Sequence, residues 1–103
     1  MNLAKLADSV GLEQEEYQEL IHLFIERSMA DLDALQNALT GGRTDDAAGA
    51  AHSLKGAALS LGLEEIFETA KDIEEKVRER QRQEAEAAAG ALRGRILDLA
   101  AME

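Results

Sequence analysis

"EQEEYQELIHLFIERSMADLDALQNAL", residues 13–39, decides the fold class. Its apolar side chains are Tyr17, Leu20, Ile21, Phe24, Ile25, Met29, Leu32, Leu35 and Leu39. Steps of three and four residues dominate, which gathers these side chains on one side of a 3.6-residue helix. Glutamates fill much of the other side, and no strand-like alternation competes. A helix with one apolar stripe must bury it against other elements.

The neighbouring segments supply those elements. Asn2 to Ser9 reads as a short first helix with Leu3, Leu6 and Ala7 on one side, and Gly11 ends it. After the long helix, "TGGRTDD" (residues 40–46) reads as a turn, with Thr44 as the cap of a third helix and Asp45 and Asp46 suited to its positive end. The third helix runs to about Leu59 or Leu61 and faces inward with Ala47, Ala51, Leu54, Ala58 and Leu61. Gly62 marks the next boundary. A fourth helix starts near Leu63 or Glu64 and faces inward with Ile66, Phe67, Ala70, Ile73 and Val77, and a fifth carries Ala85, Ala88, Ala89, Leu92, Ile96 and Leu99.

Between the last two helices lies "RERQRQEAE" (residues 78–86), without glycine or proline. A bundle requires a reversal there, expected between Arg80 and Glu84; the alternative is one rod from Leu63 to Ala89. The predicted fold is all-α: an up-down-up-down antiparallel four-helix bundle with a short additional N-terminal helix, one domain over residues 1–103.

Composition narrows the function classes. The chain has 103 residues, no cysteine, no proline and a formal net charge of −10. Disulfides and thiolate metal sites are excluded. Strong acidity argues against nucleic acid as a partner. No apolar run approaches the roughly 18 residues of a membrane span, and the N-terminus makes a poor signal peptide, so a cytoplasmic location and no membrane partner are expected.

Chemistry concentrates in "AHSLKGAALSLG", residues 51–62. His52 stands about 100° round the helix from Ala51, at the edge of the core face, and is expected to be at least partly exposed. Lys55, three residues on, can reach an anion placed on the ring. Gly56 removes bulk one turn beyond the imidazole, at a cost of about 1 kcal/mol relative to alanine in mid-helix. Ala48 and Leu59, on the same line, are expected to form a shallow apolar rim for a partner. A neutral imidazole offers a nucleophilic nitrogen near neutral pH and can accept a phosphoryl group.

His52, Lys55, Gly56 and Gly62 together form a histidine with Lys-Gly at the third and fourth following positions and glycine at the tenth. That pattern resembles the signature of histidine-containing phosphotransfer (HPt) domains, and the helical frame resembles the family from about Glu13 to Ala100. The reversal departs from it, since family members often place glycine or aspartate where this chain has "RERQRQ". The resemblance implies phosphorylation of His52 by the receiver domain of a hybrid histidine kinase or response regulator, followed by transfer to another receiver in a multistep two-component phosphorelay. Lys55 would neutralise phosphate charge, Gly56 and Gly62 would serve access and packing, and Ser60 would help orient the site. Mg²⁺ would come from the partner receiver, with no cofactor in this chain. The chain would be a phosphoryl carrier without turnover of its own, either a stand-alone protein or an excised domain.

Other readings compete. A helical adaptor would use the Leu59 rim and tolerate loss of the imidazole, and an inert relative would keep the fold without accepting phosphate. His22, between Gln18, Glu19 and Glu26, reads as an ordinary polar-face residue. Glu19 and His22 have the Glu-x-x-His spacing of metal-binding bundles, but Gly49 stands three before His52, so no second copy exists and no metal is expected. The basic run Lys71, Lys76, Arg78, Arg80 and Arg82 alternates with Asp72, Glu74, Glu75, Glu79, Glu84 and Glu86, which reads as a solvated face.

Overall fold

The computed structural model describes residues 3–102, most of them in five α-helices: α1 (Leu3–Ser9), α2 (Gln14–Thr40), α3 (Thr44–Ser60), α4 (Glu64–Arg78) and α5 (Arg82–Ala100). The expected start at Asn2 lies outside the described residues. Helices α2 to α5 close a ring in which each packs on its two neighbours, while α1 lies on α2. Cross-links show the antiparallel order. The Tyr17 hydroxyl at the start of α2 donates to the Leu61 carbonyl just past α3 (2.6 Å), Arg82 at the start of α5 donates to the Thr40 carbonyl closing α2 (3.3 Å), and Arg95 late in α5 pairs with Glu65 early in α4 (2.9 Å).

The core follows the apolar lines. Tyr17, Ile21, Phe24, Leu32, Leu35 and Leu39 of α2 are buried, as are Leu54 of α3, Ile66, Ile73 and Val77 of α4, and Leu92, Ile96 and Leu99 of α5. Leu20 instead emerges at the surface, and Ser28 and Ala38 take core positions. Ser28 is tolerated there because its hydroxyl donates to the Phe24 carbonyl at 2.6 Å, leaving no buried polar group unpaired. Ala47, Ala48, Ala51 and Ala58 of α3 are all buried, so α3 presents a nearly smooth face to α2 and α4.

Thr44 does not cap α3 from outside; it is the first helical residue and Arg43 holds the cap position. At α2 the cap is Glu13, whose backbone N–H donates to the Glu16 carboxylate at 3.3 Å.

All four links close in the same way. A residue in the left-handed region is followed by one whose N–H reaches back five positions: Leu12 to Ala7, Arg43 to Ala38, Leu63 to Ala58 and Gln81 to Lys76, at 2.8–3.0 Å. This is the Schellman closure of a helix C-terminus. Glycine occupies the left-handed position at 11, 42 and 62, but in the last link it is Arg80, with φ of 60°. The reversal therefore sits at residues 79–81, at the upstream edge of the expected interval, and α5 already begins at Arg82.

The Arg80 position predicts a direction of change. A side chain in the left-handed region costs on the order of 1 kcal/mol, so Arg80→Gly is expected to raise unfolding stability by up to about that amount. Gly62→Ala is expected to lower it by at least as much, because its φ is 70° and an added Cβ would stand 3.3 Å from both Ser9 Oγ and Val10 Cγ1. Urea titrations of the two variants check both signs, and a destabilised Arg80→Gly would contradict the strain argument.

Candidate functional site

The alanine face of α3 turns His52 outward, and 66% of its side chain is exposed. The imidazole leans toward α4, with Nδ1 3.4 Å from Oε1 and 3.3 Å from Oε2 of Glu74. An ionised carboxylate only accepts hydrogen bonds, so Nδ1 is the donor. In the neutral ring the proton then sits on Nδ1 and the lone pair on Nε2.

Glu74 is the residue that sequence reasoning missed. It was assigned to a solvated face, yet the residue is only 7% exposed and collects three donors. Besides His52, Lys55 Nζ lies 2.7 Å from Oε1, while Arg78 applies its fork to Oε2 through Nη2 (2.9 Å) and Nε (3.3 Å). A signal was available. Ala70, Ile73 and Val77 define the inward line of α4, and Glu74 falls on it, four after Ala70 and three before Val77. Arg78, one helical turn beyond, stays exposed as the solvated-face reading expected, and reaches Glu74 from there.

Burial alone would push the Glu74 carboxyl up. The hydrogen bonds from Lys55, Arg78 and His52 and the Lys55 charge outweigh it and hold the group at about 2. Glu74 therefore stays ionised across the neutral range. With the ring neutral, the cluster holds two cations and one carboxylate, a local surplus of positive charge beside His52 in a chain whose formal net charge is −10.

The other expected site residues divide. Gly56 is exposed, and a Cβ built on it would meet nothing within 4 Å; the same holds for Gly49, three before His52, which the sequence reading did not single out as a site residue. The outer face of α3 is thus bare on both sides of the ring. Leu59 is 63% exposed one turn beyond Gly56. Ala48 is not part of any rim: it is 3% exposed, inside the hydrophobic core, because its single methyl group ends beneath the neighbouring helices, whereas the longer His52 and Leu59 side chains on the same line reach past them. Ser60 is exposed, and its hydroxyl donates to the Gly56 carbonyl at 3.1 Å, a bond within the helix. Gly62 belongs to the α3–α4 closure, not to the ring's surroundings. His22 lies on the exposed face of α2, with Nε2 3.2 Å from Glu26 Oε1. Among the described residues, no three His, Asp or Glu side chains converge to hold a metal ion, and no helix is long and apolar enough to cross a membrane.

The Glu74 cluster couples stability to acid. A carboxyl depressed in the folded state contributes fully above its ordinary value near 4.5, and the contribution is lost as pH falls toward about 2. Glu74→Gln lacks this contribution. The stability gap between the wild-type chain and Glu74→Gln is expected to narrow from pH 5 to pH 2, on the order of 2 kcal/mol after screening at the exposed Arg78. Denaturant melts at a series of pH values measure it, and parallel curves would contradict the assignment.

No curated protein and no solved structure matches the chain. The family model described as "Hpt domain" matches residues 19–102, which takes in α3 with His52 and α4 with Glu74. With most of its length matched, the chain belongs to the Hpt domain family.

Proposed function

We propose that this chain carries a phosphoryl group on Nε2 of His52, taking it from the aspartyl phosphate of one receiver domain and giving it to the aspartate of another. The observation that carries the reading is the exposed imidazole whose Nδ1 faces Glu74, because it leaves the Nε2 lone pair as the nucleophile. In acceptance, Nε2 attacks phosphorus, the acyl P–O bond breaks, and the donor's carboxylate leaves with the electron pair. In donation a carboxylate oxygen of the receiving aspartate attacks phosphorus to form the new P–O bond, the N–P bond breaks and its electron pair returns to Nε2. Mg²⁺ would be held by the receiver.

Lys55 acts through charge. Its ammonium cancels Glu74, and Arg78 adds the surplus cation that a dianionic phosphoryl group would meet. Gly49 and Gly56 leave room for a receiver's edge to bring its aspartate up to the ring. Leu59 beside the site, and the shallow apolar groove lined by Leu20, Leu23, Phe24, Leu54, Ala57 and Leu61 between α2 and α3, offer a surface on which a receiver would dock.

His52→Gln is expected to stay folded and lose all acid-labile labelling by a phosphorylated receiver, whereas His22→Gln keeps it. Labelling without His52, or equal loss in both variants, would overturn the reading; an H52Q chain that still signals normally would establish the adaptor instead.

Glycine 56 separates space from stability. Gly56→Ala is expected to stabilise α3 by up to about 1 kcal/mol, since the new methyl group meets nothing within 4 Å. Gly56→Leu should fold but slow transfer at least tenfold, whereas Gly94→Leu, on the exposed side of α5 and equally free of neighbours, should leave transfer at the wild-type rate. Undiminished transfer in Gly56→Leu would remove the clearance argument.

A further inference from the structure

If His52 carries phosphate, the contact with Glu74 bears on the return step as well as on acceptance. Attack by Nε2 leaves a ring with phosphorus on one nitrogen and hydrogen on the other, a cationic phosphoimidazolium. Its fate depends on that hydrogen. While Nδ1 remains protonated, breaking the N–P bond releases neutral imidazole. Once Nδ1 has lost its proton, the same bond must release an imidazolate, a far poorer leaving group.

Resting on the phosphocarrier reading, we propose that Glu74 keeps the Nδ1 proton on the His52 ring throughout the cycle, so that the phosphorylated domain is built for rapid release and not for storage. The geometry carries this. Both carboxylate oxygens stand within 3.4 Å of Nδ1, and the group is enclosed between α3 and α4, where water competes poorly for the contact. Glu74 does not take the proton itself, because Lys55 and Arg78 hold its proton affinity well below that of an ordinary glutamate. It acts as a fixed acceptor.

Lys55 approaches from α3 and Arg78 from α4, both through Glu74. On the α2 side, Asp31 is engaged by Ser53 Oγ at 3.2 Å, and the three arginines of α5 are paired elsewhere, Arg82 with Glu86, Arg93 with Asp33 and Arg95 with Glu65. Glu74 is thus the anion in contact with the ring, a positioning residue whose effect reaches phosphorus through Nδ1.

The experiment labels the 103-residue chain with phosphoramidate, from which ammonia departs as the phosphoryl group moves to Nε2, and follows loss of the label from pH 6 to 9. In the wild-type chain the rate should hold level well into this range before falling. In Glu74→Gln the fall should begin about one pH unit earlier, making release about tenfold slower at pH 8. Lys55→Met, which leaves the carboxylate less neutralised, should move the fall in the opposite direction. That opposed pair decides the matter even if Glu74→Gln lowers stability. Superimposable profiles for the wild-type chain and both variants, or a Glu74→Gln profile displaced toward higher pH, would overturn the inference. A wild-type chain that takes no label, or an H52Q chain that takes as much, would instead overturn the phosphocarrier reading on which it rests.

Discussion

The alanine face of α3 is the constraint on which the rest of the molecule depends. Ala47, Ala48, Ala51 and Ala58 are fully covered, and side chains this small let α2 and α4 come close on either side. Larger residues there would overpack the core, at about 1–3 kcal/mol each. They would also push α4 outward and carry Glu74 away from His52, so a packing fault would become a chemical one. Leu54, the one large side chain on this inward face that is fully buried, anchors the helix; its truncation to alanine would cost about 2–5 kcal/mol.

Close approach explains how an ionised carboxylate comes to be buried in so small a bundle. A lone carboxylate at this depth would be strongly unfavourable. Glu74 is offset by an ammonium, a guanidinium and an imidazole that all reach it from the rim. Such an arrangement is weak evidence for net stability, since buried ion pairs roughly break even. Its value lies in orientation: the carboxylate that holds the ring is itself held on both oxygens.

Much of this was legible in the residues. The three-four spacing of α2 and the apolar lines of α3, α4 and α5 specified the bundle, and His52, Lys55 and Gly56 stood out by type and spacing. Three shortfalls have physical causes. The last reversal was located only to an interval, and fell at its upstream edge, because Arg80 adopts a conformation for which glycine is the usual marker, so no breaker showed in "RERQRQ". Glu74 was hidden by charge alternation: its neighbours Asp72, Glu75 and Lys76 made it look solvated, although its phase relative to Ile73 and Val77 placed it inside. Ala48 was assigned to the surface by its alignment with His52, but a short side chain one turn earlier ends beneath the neighbouring helices while the longer imidazole reaches past them.

Two members of the His52 cluster, Glu74 and Arg78, lie 22 and 26 positions down the chain, on a different helix. Nothing local holds them there; only the closed bundle does. A chain that has lost its α3–α4 contact retains every atom of the motif, yet its imidazole is an ordinary one, free to choose either tautomer, with Lys55 beside it but neither Glu74 nor Arg78. In the proposed role, damaged or half-made copies would be chemically silent. Competence to carry a signal would double as a certificate that the molecule is correctly assembled, and errors in folding would cost the relay amplitude instead of injecting false messages.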